Sequence, residues 1–122
     1  MKFAQENQDE GYVITGYERD SISINGKAFS ESLIITSTKL NENWGVDNIG
    51  SLQASHIDQI LSFKPELILI GTGEKLIFPD IEVYSGIIQQ GIGVDFMDTG
   101  AACRTYTILM SEGRGVVAGL IL

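Results

Sequence analysis

The run Leu67-Ile68-Leu69-Ile70, set between Glu66 and Gly71, constrains the fold more than any other segment. Four consecutive apolar residues bounded in this way suit a strand buried on both faces, and such a strand needs cover above and below it. Beyond Gly71 the chain alternates in rhythm. Residues 81–90 read as a helix, with Asp80 at the N-cap, Glu82 complementing the helix dipole and Gly91 in the C′ position. Residues 92–97 read as a strand. Residues 99–112 read as a second helix, opened by Thr99 as N-cap and stopped by Gly113, and residues 116–120 as a last strand. Strand, helix, strand, helix, strand predicts right-handed crossovers and parallel pairing covered by helices.

The first forty residues have the period of β structure instead. Tyr12-Val13-Ile14-Thr15-Gly16-Tyr17 is strand-like, and Ser21-Ile22-Ser23-Ile24 alternates polar and apolar residues as a half-buried strand does. Asn25-Gly26 then leads into Lys27-Ala28-Phe29, and Asn-Gly between such segments is a hairpin signal because both turn residues take positive φ. With Ser32-Leu33-Ile34-Ile35-Thr36, these segments predict an antiparallel sheet. A polar loop holding Asn41, Asn43, Trp44 and Gly45 comes next. Residues 55–61 then read as a short helix with Ile57, Ile60 and Leu61 on one face, Ser55 and Asp58 in capping-box spacing, and Pro65 as its stop. At 122 residues the chain is too short for two independent cores. Residues 1–10 are expected to be a flexible terminus, residues 11–122 one α/β domain, and the change of rhythm near residue 45 two layers of it.

Charge narrows the choice of partner. Sixteen acids oppose eight bases, a net charge of −8, and no two basic residues are adjacent. Nucleic acid binding is driven by clustered Lys and Arg releasing counterions from phosphates, so this composition argues against it. An anionic membrane surface is disfavoured for the same reason, whereas a basic protein surface would be attracted. The N-terminal residues lack an apolar core and are too acidic for a mitochondrial presequence, and the longest apolar run, near residues 116–122, is too short to span a bilayer. Cytoplasmic residence without membrane insertion is the expectation. Cys103 is the sole cysteine, which excludes an internal disulfide and the thiolate-based zinc sites. No metal or cofactor is expected.

Two stretches merit a chemical reading. Gly71-Thr72-Gly73 follows a buried strand, where a glycine turn opening into a helix would cradle a dinucleotide pyrophosphate, with Asp95 or Asp98 near the ribose. Position 76 is Leu where the fingerprint has its third glycine, and Pro79 delays the helix. A plain tight turn and the lining of a small-anion pocket are the alternatives. In the second stretch, Thr99-Gly100-Ala101-Ala102-Cys103-Arg104-Thr105-Tyr106, the helix dipole would lower the Cys103 pKa, or Cys103 packs in the core. A catalytic thiolate also wants a base, and His56, the only histidine, is read as a helix-surface residue. Arg104 and Arg114 are read either as partners of Glu112, Asp95 or Asp98, or as an anion-binding arginine beside the Gly71 turn. Trp44 is read as a lid over the core or as an anchor for a partner. The candidate ligand site is Gly71, Thr72, Gly73, Thr99, Cys103 and Arg104, with no catalytic residue among them.

Taken in order, six fragments resemble one family: Ile24-Asn25-Gly26; Trp44; Leu69-Ile70-Gly71-Thr72-Gly73; residues 91–99 (GIGVDFMDT); residues 101–106 (AACRTY); and Glu112-Gly113-Arg114. The family is that of small single-domain proteins of unknown function that includes mitochondrial respiratory complex I assembly factor 3 and its bacterial and archaeal homologues. The resemblance spans roughly residues 11–121. It departs at Thr107, where many members carry Asn. It implies an α/β domain in three layers: a central mixed β-sheet, helices, and an additional antiparallel β layer from the N-terminal half. It also implies a non-catalytic binding or assembly module with a protein partner, and it carries over no catalytic residues. The alternative is an anion-binding enzyme or sensor with its pocket at the strand C-termini.

Overall fold

The computed structural model describes residues 11–122; the expectation for residues 1–10 lies outside the described residues. Strands β1 (Ile14–Glu18), β2 (Ser21–Ile24) and β3 (Lys27–Phe29) form a three-stranded antiparallel sheet. Asn25 and Gly26 both take positive φ, 51° and 85°, as the hairpin requires. Strands β4 (Leu33–Ile35), β5 (Leu40–Asn41), β6 (Leu67–Gly71), β7 (Gly93–Met97) and β8 (Val116–Leu120) form a second sheet in the order β5-β4-β8-β6-β7. Its β7, β6 and β8 run parallel, while β4 pairs antiparallel with β8 and with β5.

Among the described residues the N-terminal antiparallel sheet therefore holds three strands. Residues 33–35 leave it for the central sheet because all three face buried surroundings, which a two-sided core position satisfies and the outer sheet does not. The tiny β5 falls where the sequence reads as polar loop. Two residues are too few to set a period.

The helices are α1 (Ala54–Leu61), α2 (Ile81–Gln89) and α3 (Thr99–Ser111), and Ile49–Ser51 make one 3-10 turn. The connections β6-α2-β7 and β7-α3-β8 leave in opposite directions across the sheet, so they place α2 and α3 on opposite faces. One core joins α1 and α2 to the sheet through Ile57, Ile60, Ile87, Ile68, Ile70 and Phe96. The other joins α3 and the three-stranded sheet to the opposite face through Ile22, Ile24, Leu69, Ala102, Tyr106 and Ala118. The result is a three-layer mixed α/β domain, as expected. Side chains of β6 alternate between the two cores, which is why its sequence reads as an unbroken apolar run.

Two caps differ from expectation. Helix α3 is capped by Asp98, whose Oδ1 accepts from the Ala101 N–H at 2.9 Å, so Thr99 is the first helical residue and not the cap. Helix α1 opens one residue early, and the cap pairs Gln53 with His56: the Gln53 N–H donates to His56 Nδ1 at 3.0 Å. Ser55 and Asp58 are exposed and play no such part. Asp80 does precede α2, but its side chain makes no capping bond.

Candidate functional site

Adjacent strands whose connections leave to opposite faces create a crevice at their carboxyl ends, the usual ligand site of such sheets. Here the crevice lies between β6 and β7, and the turn after β6 meets the start of α3. Gly71 makes the approach: a Cβ there would sit 2.9 Å from both Cα and Oγ1 of Thr99 and 3.2 Å from Leu120 Cδ2. Only glycine lets the two segments come this close.

The chain's own groups occupy the joint. Thr72 N–H donates to the Met97 carbonyl at 2.8 Å, and Thr99 N–H donates to the Gly73 carbonyl at 2.8 Å. The Thr99 hydroxyl accepts from Gly73 N–H at 2.8 Å and donates to the Ile121 carbonyl at 2.6 Å. Thr99 is fully buried. The helix therefore meets the glycine turn as the sequence predicts, but the Thr72, Gly73 and Thr99 amides at the joint are already engaged.

Outside this joint the candidate residues separate. Thr72 and Gly73 line a cleft of about 420 Å³ with Tyr17, Arg19, Glu74 and Lys75. The guanidinium of Arg19 pairs with the Glu74 carboxylate across its mouth. Cys103 and Arg104 line a different, more apolar groove of about 490 Å³ between β1 and α3, with Ile14, Gly16, Thr107 and Ile108. Tyr17 borders both. Its ring lies over Gly100, where a Cβ would be 3.0 Å from Cε2, and burial is the main cause raising its hydroxyl pKa. The Thr107 hydroxyl donates to the Cys103 carbonyl at 3.0 Å, a bond within the helix.

The environment of Cys103 overrides the helix dipole. Burial pushes its thiol up to about 12, while neighbouring Arg104 acts weakly the other way. Cys103 and His56 cannot form a dyad, because Cys103 packs in the core on one face of the sheet while His56 stacks edge-on against Trp44 in the core on the other. Arg104 and Arg114 are exposed, and the one ion pair among the described residues is Arg19–Glu74, so the expected bridges to Glu112, Asp95 or Asp98 do not form. The dinucleotide reading also fails on geometry. Helix α2 opens only at Ile81, so the helix meeting the glycine turn is not the one that follows it in sequence.

Trp44 is 1% exposed. Its Nε1–H donates to the His56 carbonyl at 3.2 Å, and its ring covers Gly119, where a Cβ would come within 2.6 Å. The indole is the lid of the α1 and α2 core and presents no face to a partner. Sequence reasoning passed over Leu76-Ile77-Phe78, which the structure leaves exposed between β6 and α2. The available signal was three apolar residues in a loop too short to bury them.

A three-layer domain with an internally bonded switch-point crevice defines a class of small α/β modules. The chain belongs to the family described as "Protein of unknown function (DUF498/DUF598)", whose model matches residues 14–121. It is similar to a Francisella tularensis protein named "13 kDa major membrane protein", 40% identical over 95% of each chain. It is also similar to NADH dehydrogenase [ubiquinone] 1 alpha subcomplex assembly factor 3 of Xenopus tropicalis, 29% identical over 96% of this chain, and spans only 64% of that protein. Among solved structures, a crystal structure of a Bordetella parapertussis protein matches with a TM-score of 0.86 at 34% identity, covering 91% of this chain and 95% of that one. Among the described residues no helix is long and apolar enough to cross a membrane.

Proposed function

We propose that the chain is a non-catalytic protein-binding module that helps a membrane-associated or respiratory complex assemble, acting from the cytoplasmic side without inserting into the bilayer. The observation that carries this reading is the closed joint at Thr99. The place where an α/β sheet ordinarily holds a small molecule is filled by the protein's own hydroxyl and amide groups. The likeness to assembly factor 3 supports the same role, and the excess of acids points to a basic protein partner and away from nucleic acid. Cross-linking in cells should yield a reproducible protein partner. A purified chain that turns over a metabolite, with no partner recovered, would defeat the proposal.

A second reading, a small-molecule site, draws on the cleft of about 420 Å³ beside Thr72 and Gly73, where Lys75 is the base left unpaired for an anion among Asp20, Asp47 and the Arg19–Glu74 pair. Titration with inorganic phosphate separates the two. Saturable shifts of the Thr72 and Gly73 amide resonances support a ligand site, and unchanged spectra reject it.

A further inference from the structure

Leu76 is 50% exposed, Ile77 48%, Phe78 64% and Ile81 60%, so four of the large apolar side chains left in water fall within six consecutive positions. Such clustering marks interaction surfaces, whereas single exposed apolar residues need no explanation. The display is preformed. Thr72 Oγ1 accepts from the Ile77 N–H at 3.2 Å, and the Phe78 ring packs edge-on against Phe96 of β7 with centroids 5.8 Å apart. Behind the shelf lies a recess of about 230 Å³ with Ile49, Leu52, Ile77, Phe78 and Val83 in its wall. It is large enough to take an apolar anchor side chain.

The bordering charge identifies the occupant. Asp80 and Glu82 are exposed along this segment against the base Lys75, while Glu74 beside them is already paired with Arg19. We propose that this shelf is the docking face for a protein partner presenting an apolar anchor flanked by lysine or arginine. The proposal rests on the protein-binding reading above and assigns it a surface. A second copy of the chain would set the same acids against these, and an anionic bilayer would be repelled, so neither fits the rim.

The test titrates the isotopically labelled full chain with a synthetic peptide carrying a Leu/Phe anchor between lysines, and with its twin carrying glutamates. Amide resonances of residues 76–83 should move with the lysine peptide, and added salt should weaken its binding. Phe78→Asp or Ile81→Asp should each cost roughly tenfold in affinity, while Ile108→Asp in the distant groove should cost nothing. Both positions are exposed, so folding should survive, as unchanged Trp44 emission would confirm. Equal binding of the glutamate peptide overturns the proposal. So does preferential binding to phosphatidylcholine vesicles, or a sedimenting dimer dissolved by Phe78→Asp. In cells, a partner still captured by the doubly substituted chain places docking elsewhere and leaves the proposed function standing. No partner from the unaltered chain removes both.

Discussion

Thr99 does with one hydroxyl what many folds leave to a ligand or a water molecule. Thr99→Val keeps the shape and leaves the Gly73 N–H and the Ile121 carbonyl without their partner, so it should destabilise the protein by about 1–3 kcal/mol in urea unfolding, and Thr99→Ser should recover most of that. The sequence marks Thr99 as a helix opener and as a candidate ligand-site residue beside the glycine turn, but not as the group that closes that site. Its true partners lie 22 and 26 positions away, a distance no local pattern encodes. Cys103 teaches the same lesson. The sequence places it near a helix N-terminus, but only the packed core reveals that desolvation outweighs the dipole. A maleimide or disulfide reagent at neutral pH should leave Cys103 unlabelled in the native protein and label it fully in denaturant. Rapid native labelling would show that the α3 core opens readily.

At the scale of elements, strands with a clear period were legible and short ones were not. The apolar run of β6, the alternation of β2 and the glycine stops after α2 and α3 carry their structure in a few adjacent residues. The partnership of β4 with β8 and the two-residue β5 depend on contacts across the sheet. Packing of α1 against the sheet hinges on one such contact. Gly119 in β8 lies flat beneath Trp44, and a Cβ would meet Trp44 Cη2 at 2.6 Å and Ile60 Cδ1 at 2.9 Å. Gly119→Ala should push the indole outward and cost about 1–3 kcal/mol. Trp44 is the only tryptophan, so a red shift of the emission spectrum reports the displacement directly.

For the whole molecule, ionisation of buried groups sets an alkaline limit. Cys103 ordinarily titrates near 9.0 and is raised to about 12 in the fold, and burial raises Tyr106 too. Between those values the unfolded chain has lost its thiol proton and the folded chain keeps it. The native state is therefore favoured in full below pH 9 and loses stability as pH climbs toward 12, by up to about 1.4 kcal/mol per pH unit from Cys103 alone. Chemical denaturation across that range should show the decline, and Cys103→Ala should make it shallower. By contrast, the Arg19–Glu74 pair is exposed on both sides, and Arg19→Ala should leave the melting temperature unmoved while widening the cleft mouth.

The strand order β5-β4-β8-β6-β7 has a consequence for biosynthesis. The piece that joins the two halves of the central sheet, β8, is the last of these strands to leave the ribosome. Until it emerges, β4 and β6 have no common neighbour and both hydrophobic layers lie open. The central sheet can become continuous only once β8 is available to both β4 and β6. It is during this interval that a chaperone would have most to shield.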